Sequence, residues 1–397
     1  MAPRVGIVTF HAANSCGAVL QAYALCRTRE ELGCSPCVID YRPTFISAPP
    51  VPLKQRPLGI VGKVLGKLRQ GELAEALKSR MRRRRYDRFR RDFLPTTKRT
   101  YWSIEELRAD PPDVDVCVCG SDQIWNLNLL GERLELDRTF FLDFARPGVR
   151  RVAYAPSMGG VAFPEDVRGE ITPLLQKFSA LSGRENDVGA LVKQLTGRDA
   201  PTVLDPSLLV EDYSAVMKRP KRPPKQYIVV YPLDYSPPFV ECVQRAKELL
   251  RLPVVNIGAR HLPGADINRN CLGPSEWLGW MRDAAFVCTN SFHGTAYSLL
   301  FRRNFLAFSF LLRPVNNVRM QGILDQFGLS ERFVVDASEL TQRGLCRRPV
   351  DYGAVEPLLR AAVSRSRDYL KNAVFATPEQ GTASVDPNQG SVLVRQA

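Results

Sequence analysis

The sequence has little of what a metal centre or a membrane span requires. It contains three histidines among its 397 residues, and its single C-x-x-C pair, Cys34 and Cys37, has no second pair to complete a zinc site. No apolar run approaches the roughly 20 residues that cross a bilayer. Residues 1–10 lack the apolar core of a secretory signal. We therefore expect a cytoplasmic protein without a metal, at most peripheral at the inner face of a membrane, whose ten cysteines are reduced thiols.

Nucleotide and nucleic-acid motifs are also missing. The turn after the first predicted strand, residues 11–18, contains Gly17 but not the G-x-G-x-x-G fingerprint, so dinucleotide binding has weak support. The same turn remains a possible phosphate or substrate loop. The sequence has no recognised nucleic-acid motif and no interleaved aromatic platform, and we expect no nucleic-acid partner.

Positive charge is in excess, with a net charge of +14, which favours anionic partners. Much of the excess lies in residues 78–91, which begin at Lys78, end at Arg91 and contain nine basic residues and one acid. Two interpretations stay open for this run. It is either a solvated helical face, the more common case, or a surface that contacts an anionic membrane or a lipid-linked substrate.

The length and the order of elements predict two domains. A chain of 397 residues exceeds the roughly 250–300 residues at which single cores stop growing. Short β-branched runs alternate with helical stretches, which is typical of βαβ units and parallel sheets. The predicted strands are residues 5–10, 37–41, 114–119, 152–155 and 202–204 in the first half, and 227–231, 254–257, 285–288 and 305–308 in the second.

The predicted fold is therefore α/β, with two facing doubly wound, Rossmann-like domains. We expect the first at residues 1–205, with a helical basic insertion at about 53–93, and the second at 206–350. A C-terminal helix at 351–376 and a disordered tail at 377–397 complete the prediction. Ligands of open α/β sheets bind in the cleft at the carboxyl ends of the strands.

His293 is the candidate catalytic residue. The apolar residues 285–288 run through Ser291-Phe292-His293-Gly294 into a new helix, which puts the imidazole at a strand-to-helix turn. Ser291 and Gly294 can present a hydroxyl or an N–H group to an anion at that helix start. Histidine exchanges protons near neutral pH. A lone histidine at a helix start is nevertheless more often a cap or a packing residue, so its context decides.

Arginines in the chain supply part of that context. Arg184 follows a short apolar run in the first half, and Arg313 and Arg319 lie on a loop soon after the predicted strand at 305–308. Guanidinium groups bind carboxylate and phosphate in bidentate fashion. Each arginine alone is more commonly a surface ion pair, but together with a histidine in the cleft they indicate an anionic small molecule.

The end of the predicted strand at 114–119 supplies a second feature. Gly120 permits a tight turn there, and Ser121 or Asp122 can cap the following helix. In a functional interpretation, Asp122 accepts a proton from a hydroxyl and Trp125 forms a flat apolar wall for a ring.

In this order, these segments resemble the polysaccharide pyruvyl transferase family. The more specific pieces are Gly-Ser-Asp-Gln-Ile-Trp-Asn at 120–126 and Ser-Phe-His-Gly at 291–294. The matching stretches are residues 14–25, 120–126, 184–185, 204–207, 291–298 and 317–319, followed by 323–324. The resemblance covers about residues 5–332 and implies a fold like that of GT-B glycosyltransferases.

The resemblance also implies a reaction. The pyruvyl unit of phosphoenolpyruvate would be transferred to two hydroxyls of a glycan or a lipid-linked oligosaccharide, giving a cyclic pyruvate ketal in the biosynthesis of a cell-surface polysaccharide. His293 would be the general acid, and Arg184 would hold the anionic groups of the donor from the other domain. The second donor-binding arginine would be Arg313 or Arg319. Phosphoenolpyruvate is then a co-substrate, and we expect no cofactor and no metal, because arginines can neutralise its phosphate.

Further contacts are assigned from position at strand ends and helix starts. Ser291 and Gly294 are candidates on the donor side. Candidates on the acceptor side are Asn14, Ser121, Asp122 and Trp125.

Two other functions fit the same sequence. A GT-B-type glycosyltransferase that uses a nucleotide sugar would share the architecture, since fold does not dictate function. A non-catalytic protein that binds a polyanion or a membrane through residues 78–91 would show strong binding that weakens with salt. Release of phosphate from phosphoenolpyruvate, dependent on a glycan, distinguishes the pyruvyl transferase from both.

Overall fold

The computed structural model of the chain describes residues 2–46, 70–129, 136–310 and 317–376. In this part of the chain the predicted fold class is confirmed, because two separate parallel sheets form, each in an α/β domain. The predicted insertion from residue 53 is described only from Gln70. The rest of it, the predicted tail at 377–397 and Arg313 lie outside the described residues.

The first sheet has five parallel strands in the order β3-β2-β1-β4-β5. The central strands β1 and β4 are buried on both faces, which explains their continuous apolar sequence. The strands are β1 Arg4–Val8, β2 Ser35–Tyr41, β3 Thr96–Tyr101, β4 Val116–Cys119 and β5 Arg150–Ala153. The helices of this part of the chain are α1 Cys16–Glu31, α2 Gln70–Phe93, α3 Ile104–Ala109, α4 Glu165–Gln176 and α5 Asn186–Thr196.

The second sheet has six parallel strands in the order β11-β10-β9-β6-β7-β8. The strands are β6 Ile228–Tyr231, β7 Val254–Asn256, β8 Ile267–Asn268, β9 Phe286–Thr289, β10 Asn304–Phe308 and β11 Phe333–Val334. The helices are α6 Pro237–Leu250, α7 Pro274–Arg282, α8 Phe292–Leu300, α9 Asn317–Gln326, α10 Ala337–Gln342 and α11 Tyr352–Phe375. Within the described residues, no helix combines the length and the apolar character that crossing a membrane requires.

The structure corrects one predicted strand, residues 202–204. Thr202 forms only an isolated bridge with Gly183, and the Leu204 N–H donates to Ser366 Oγ at 3.0 Å instead of to a strand. Asp205 then caps a short 3-10 helix, Pro206–Leu208. The chain leaves the sheet here because proline has no N–H to offer to a strand ladder.

Three strands have too little apolar pattern to be predicted. Strand β3 consists of Thr-Thr-Lys-Arg-Thr-Tyr and lies at the edge of the first sheet with most of its side chains in contact with solvent. Polar and charged residues are common on edge strands. Strands β8 and β11 have two residues each, fewer than an alternating pattern needs.

A hydrophobic core runs through the joint between the two domains, since one cluster contains residues of both sheets. Aromatic rings mark its path. The ring of Tyr23 on α1 lies 5.9 Å from that of Tyr213, which lies 5.4 Å from that of Tyr297 on α8. Trp277 on α7 continues the chain of contacts 5.2 Å from Tyr297. Helices of both domains are therefore packed together beside the candidate site.

The C-terminal helix α11 contacts both domains. Near its start, Tyr352 Oη donates to the carbonyl of Arg303 at 2.5 Å. Near its end, the guanidinium of Arg150 on β5 donates to the carbonyls of Ala373 and Ala376 at 2.7 and 2.6 Å. The helix therefore starts on the second domain and ends on the first.

Candidate functional site

The turn that carries His293 is fixed by hydrogen bonds to the neighbouring strand. Strand β9 ends at Thr289, whose hydroxyl donates to the carbonyl of Tyr231 at 2.7 Å. Asn290 Oδ1 then accepts the N–H of Leu233 at 2.7 Å. Helix α8 begins at Phe292, so the imidazole projects from its first turn. The side chain of His293 is 10% exposed.

Asp205 lies at the centre of the site and is fully buried. Its Oδ1 accepts the N–H and the hydroxyl of Ser207 at 3.0 and 2.7 Å. Its Oδ2 accepts from Arg184 Nη1 at 3.0 Å and lies 3.6 Å from His293 Nε2. Burial opposes ionisation, but the charges of His293 and Arg184, with the hydrogen bonds from Ser207, hold the pKa of the Asp205 carboxyl well below its usual range. Asp205 is therefore a fixed negative charge that joins the histidine to the arginine.

Arg184 is held on three sides. Its Nε donates to Glu185 Oε1 at 3.0 Å, its Nη1 donates to Asp205, and its guanidinium carbon lies 4.3 Å from the centroid of the Phe292 ring. The remaining nitrogen, Nη2, is buried, and no described residue accepts a hydrogen bond from it. Buried donors are almost always paired, so Nη2 marks the place where an acceptor from a ligand would fit.

A second guanidinium, that of Arg319 in the first turn of α9, is buried beside Arg184. Burial and the positive charge of Arg184 lower the pKa of Arg319 to about 10, and the negative charge of Glu185 opposes the decrease. Burial also raises the pKa of Glu185 in spite of both arginines. Arg319 carries the cost of this arrangement, because the negative charges of Glu185, Asp205 and Asp122 raise the pKa of Arg184 in spite of its burial. An anion bound beside Arg319 would offset that cost.

The two arginines line a cavity of about 510 Å³, a size within the usual range for small-molecule sites. Phe292 and Asp205 contribute to its wall, and Arg365 of α11 contributes a third guanidinium. Carboxylates also line the cavity, namely Glu185, Asp187, Asp205 and Asp325. The lining therefore has mixed charge, and an anion would bind on the side of the arginines.

A smaller cavity of about 130 Å³ lies next to the first. Arg319 and Phe292 line both cavities, so these two side chains form a shared wall. The polar side chains of Gln123 and Asn126 line the smaller one, and Asn126 Nδ2 donates to Gln123 Oε1 at 2.7 Å. The smaller cavity places amide groups of the first domain opposite Arg319.

Helix α1 of the first domain reaches the ring of His293 at Gly17. A side chain at this position would put its Cβ 2.1 Å from His293 Nδ1, a distance that real contacts do not reach. Only glycine lets the helix approach so closely. The imidazole is therefore enclosed between α1 and Asp205, at the joint between the domains. His293 itself lines neither cavity, and its link to the larger one is Asp205, which does line it.

Ser291 and Gly294, the predicted donor contacts, are used to build the turn. Ser291 Oγ accepts the N–H of Gly294 at 3.4 Å and caps helix α8. Gly294 packs against Thr289, whose Oγ1 would lie 2.2 Å from a Cβ at that position. Both residues are buried and line neither cavity. In the structure both residues build the turn that carries His293, and their role on the donor side stays a prediction.

Trp125 and Ser121, two of the predicted acceptor contacts, are enclosed in the first domain. Trp125 is 1% exposed, stacks on Phe141 with ring centroids 5.3 Å apart, and donates its indole N–H to the carbonyl of Phe140 at 3.1 Å. It belongs to the core and cannot form a wall for a sugar. The Ser121 hydroxyl is buried 3.1 Å from Asp205 Oδ2 and supports that carboxylate.

Asp122, another predicted acceptor residue, lies close to Arg184, with Oδ1 3.9 Å from Nη1. Its φ of 74° is in the left-handed region, which non-glycine residues seldom adopt. Its Oδ1 also accepts the N–H of Gln123 at 2.9 Å. The carboxylate is thus directed to the edge of the arginine cluster.

Asn14 lies on the exposed loop after β1, and the basic helix α2 holds this loop in place. Arg82 Nη2 donates to the carbonyl of Asn14 at 3.0 Å, and Arg90 Nη2 donates to its Oδ1 at 3.0 Å. Arg90 Nη1 also contacts the carbonyls of Ala12 and Ala13 at 3.3 and 3.2 Å. These hydrogen bonds fix the path of the loop, and its use as a phosphate or substrate loop stays a prediction.

The basic run at residues 78–91 thus has two kinds of side chain. Arg82 and Arg90 face the loop after β1, whereas Arg83, Arg84 and Arg88 are exposed to solvent. The interpretation as a solvated face describes only the second group. Contact of this run with an anionic membrane stays a prediction.

Sequence reasoning missed Asp205, Gly17 and Arg365 as members of the site. Asp205 stands in the matching stretch at 204–207, and its position before Pro206 signals only a cap. Gly17 stands in the inspected turn, but its contact with His293 depends on the packing of two domains. No local pattern distinguishes Arg365 from the other arginines of α11.

Within the described residues, no group of three or more histidine, cysteine, aspartate or glutamate side chains is placed to hold a metal ion. Of the three histidines, His11 is buried with Nε2 2.9 Å from Asp40 Oδ1 and supports the first sheet, and His261 is exposed. The expectation that the reaction needs no metal stays a prediction.

Solved structures share the architecture at low identity. MnaA from S. aureus in complex with UDP is 10% identical, with a TM-score of 0.50 over 94% of this chain and 96% of that chain. The glycosyltransferase AviGT4, involved in avilamycin A biosynthesis, is 12% identical, with a TM-score of 0.48 over 94% and 97%. A putative UDP-N-acetylglucosamine 2-epimerase from Listeria monocytogenes is 10% identical, with a TM-score of 0.47 over 94% and 91%. At 10% identity, the likeness to MnaA concerns the fold alone.

The comparison with curated proteins finds no match. The family model described as polysaccharide pyruvyl transferase matches residues 16–310, from the start of α1 to just beyond β10. The match takes in His293, Arg184 and Asp205 and spans well over half of the chain, and the chain belongs to the polysaccharide pyruvyl transferase family.

Proposed function

We propose that the protein transfers the pyruvyl unit of phosphoenolpyruvate to two hydroxyls of a glycan or glycan precursor and forms a cyclic pyruvate ketal. Family membership supports a transferase of polysaccharide biosynthesis. The donor and the ketal product are inferred from the chemistry of the site.

The observation that carries the proposal is the pair of buried guanidiniums of Arg184 and Arg319. Arg184 Nη2 has no acceptor among the described residues, and the pKa of Arg319 is lowered by burial and by the charge of Arg184. The carboxylate or phosphate of phosphoenolpyruvate would accept from Nη2 and stabilise the charge of the neighbouring Arg319. Arg365, at the same cavity, is available for the second anionic group.

His293 acts as the general acid. The methylene carbon of phosphoenolpyruvate must take a proton before its neighbour can carry two new C–O bonds. The negative charge of Asp205, 3.6 Å from Nε2, stabilises the protonated imidazole that donates this proton. Asp205 is a positioning residue, because its carboxylate contacts His293, Arg184, Ser207 and Ser121.

The two acceptor hydroxyls complete the reaction at the central carbon. The first adds to this carbon as the methylene group becomes a methyl group, and the second displaces phosphate from the same carbon. Of the two hydroxyl protons, one replaces the proton that His293 gave and the other leaves with phosphate. In this proposal Asp122, at the edge of the arginine cluster, takes the second of these protons from its hydroxyl and passes it to the departing phosphate.

The test is a phosphate-release assay with the purified protein, phosphoenolpyruvate and a panel of free, nucleotide-linked and lipid-linked glycans. We expect phosphate release that depends on a glycan, with a product heavier than the glycan by one pyruvic acid minus one water. A parallel assay with nucleotide sugars measures nucleotide release. Nucleotide release without consumption of phosphoenolpyruvate would replace the proposal with the glycosyltransferase. Activity that is lost in EDTA and restored by a divalent cation would contradict the metal-independent mechanism.

A further inference from the structure

A second cluster of cations lies in a groove between helix α2 and the second domain, outside the arginine cavity. The groove has a volume of about 930 Å³. We call it the basic groove, and its basic side chains are Lys78, Arg85, Lys218, Arg219, Lys221 and Arg269. We infer that the basic groove binds a phosphate or diphosphate group through which the acceptor glycan is activated. This inference rests on the proposed function, since it identifies the class of acceptor.

The charges of the basic groove are poorly compensated by the protein. Lys78 pairs with Glu75 at 2.7 Å on the exposed surface. The other five cations have no ion pair with a described residue. The one carboxylate of the lining, Glu276, accepts the N–H of Gly273 at 3.1 Å and so is directed into its own helix. Cations gathered in a groove repel one another and concentrate a field that attracts anions.

The walls of the basic groove are held by close packing. A Cβ at Gly273, before helix α7, would lie 2.7 Å from Arg85 Cβ on α2, so the two helices touch there. On the opposite wall, the Lys218 N–H donates to the carbonyl of Ser275 at 2.9 Å. A Cβ at Gly279 would lie 2.1 Å from the Lys218 carbonyl oxygen. Both walls are therefore fixed on α7, which holds in place the backbone that carries Arg85 and Lys218.

The floor of the basic groove suits a group that is part anionic and part apolar. Trp280 is 4% exposed, and the guanidinium carbon of Arg269 lies 6.0 Å from the centroid of its ring. Asn268 Oδ1 accepts the N–H of Leu262 at 2.8 Å and fixes the loop beside it. A diphosphate ester has both the charge for the cations and a carbon substituent for the indole.

Helix α2 connects the basic groove to the acceptor side of the site. Arg82 and Arg85 are three residues apart and therefore neighbours on the helix surface. Arg82 binds the carbonyl of Asn14 at 3.0 Å, and the helix that follows Asn14 touches His293 through Gly17. A glycan whose phosphate lies against Arg85 would extend toward Asn14 and the cleft.

The first experiment measures binding of inorganic diphosphate to the full chain by calorimetry, without phosphoenolpyruvate. In the variant Lys218→Gln/Arg219→Gln/Lys221→Gln we expect binding to weaken by about 10–100-fold, since hydrogen bonds to charged groups are lost. Arg85→Gln, on the other wall, should weaken it as well. Arg84→Gln/Arg88→Gln is the matched control, because it removes exposed cations of the same helix outside the basic groove. Equal losses in variant and control, or wild-type binding no tighter than that of the triple variant, would overturn the inference.

The second experiment identifies the source of the phosphate and uses transfer from phosphoenolpyruvate. The triple variant should raise the KM for a diphosphate-linked glycan by at least about 10-fold and leave the KM for phosphoenolpyruvate unchanged. A nucleoside-diphosphate sugar and a prenyl-diphosphate sugar are compared, and the one whose KM rises is the source. If the wild type transfers the pyruvyl unit and the triple variant does so with the same KM for the glycan, the inference about the basic groove is refuted and the proposed function is not. Diphosphate binding in the basic groove without any transfer from phosphoenolpyruvate would refute the proposed function and leave the anion site standing.

Discussion

The imidazole of His293 and the carboxylate of Asp205 face each other across the joint between the domains, with Nε2 3.6 Å from Oδ2. His293 belongs to a helix of the second domain. Asp205 lies just after Thr202, which forms a β-bridge with Gly183 of the first domain. Asp205 also binds Arg184 of the first domain at 3.0 Å. The contact between acid and carboxylate therefore depends on the position of one domain against the other, and so does the proposed catalytic geometry.

Replacing His293 tests the general acid directly. In His293→Ala we expect kcat for phosphate release to fall by about 10²–10⁴-fold, the usual contribution of a positioned acid. The KM for phosphoenolpyruvate should change little, because the arginines remain. Circular dichroism and thermal unfolding establish that the variant is folded. Near-normal turnover in a folded variant would remove His293 from the mechanism.

Asp205 should determine how stability depends on pH at the acid end. Its pKa is lower in the folded protein than in the unfolded chain, so its contribution is fully present above about pH 4. The contribution is lost as the pH falls through the folded-state pKa. We expect Asp205→Asn to lower the free energy of unfolding by about 3–5 kcal/mol at neutral pH, because Arg184 loses a buried partner.

The measurement is urea denaturation between about pH 3 and pH 7, a window that spans the ordinary aspartate pKa. The wild type should lose stability more steeply toward the acid end than Asp205→Asn. Ser207→Ala is the control, because it removes a hydrogen bond at a cost of about 1 kcal/mol but keeps the carboxylate. Parallel pH curves for the wild type and Asp205→Asn would show that the carboxylate does not have the lowered pKa.

Gly17→Ala should reduce turnover by displacing the His293 ring, since the new Cβ would lie 2.1 Å from Nδ1 in the present arrangement. We expect a fall of at least about 100-fold in kcat, because small misplacements of a catalytic group are costly. Gly169→Ala is the matched control. It also lies on a helix, but no atom is within 4 Å of its added Cβ. Its stability should rise by about 0.5–1 kcal/mol, with full activity.

Arg319→Gln should weaken the binding of the donor, phosphoenolpyruvate, and not that of the glycan. We expect the KM for phosphoenolpyruvate to rise by about 10–100-fold, which corresponds to the loss of hydrogen bonds to a charged group. The KM for the glycan should stay within about twofold, an energy change well under 1 kcal/mol. Arg360→Gln on the exposed surface of α11, where Arg360 pairs with Glu356 at 2.7 Å, serves as the control. If the KM for the glycan rises more than the KM for phosphoenolpyruvate, Arg319 contacts the acceptor and not the donor.

A substitution of Trp125 tests whether this residue belongs to the core or forms a platform for a sugar. In Trp125→Phe we expect the free energy of unfolding to fall by roughly 1–3 kcal/mol, because the indole loses its hydrogen bond to the Phe140 carbonyl and part of its packing. The KM for the glycan should not change, since the side chain is 1% exposed. Steady-state kinetics and chemical denaturation on the same sample decide between the two. An unchanged free energy of unfolding with a raised KM for the glycan would show that Trp125 contacts the acceptor.

The residues that sequence reasoning identified are those whose signal is local. His293 and Arg184 follow apolar runs at points where a turn is expected, and the structure brings them to the same carboxylate. Asp205 itself has only the local signal of a cap, because its function is defined by partners 21 and 88 residues away along the chain, at Arg184 and His293.

The same distinction explains where the structure departs from the sequence pattern. Trp125 stands at a strand end like Asp122, and only the packing of Phe141 against its face shows that it is buried. Strand β3 is an edge strand with a polar sequence, so its partner β2 decides its structure more than its own residues do. The basic helix α2 resembles a solvated helix, because the carbonyls that Arg90 binds belong to a distant turn.

The path of helix α11 has a consequence for motion. Its 24 residues span about 36 Å, with one end on Arg303 of the second domain and the other on Arg150 of the first. A stiff rod anchored at both ends resists separation of the domains along its length but permits a swing about its axis. Product release from a closed cleft commonly requires such opening. We therefore expect the two halves of the cleft to open by rotation about α11, with Arg365, which α11 itself carries, remaining at the pivot.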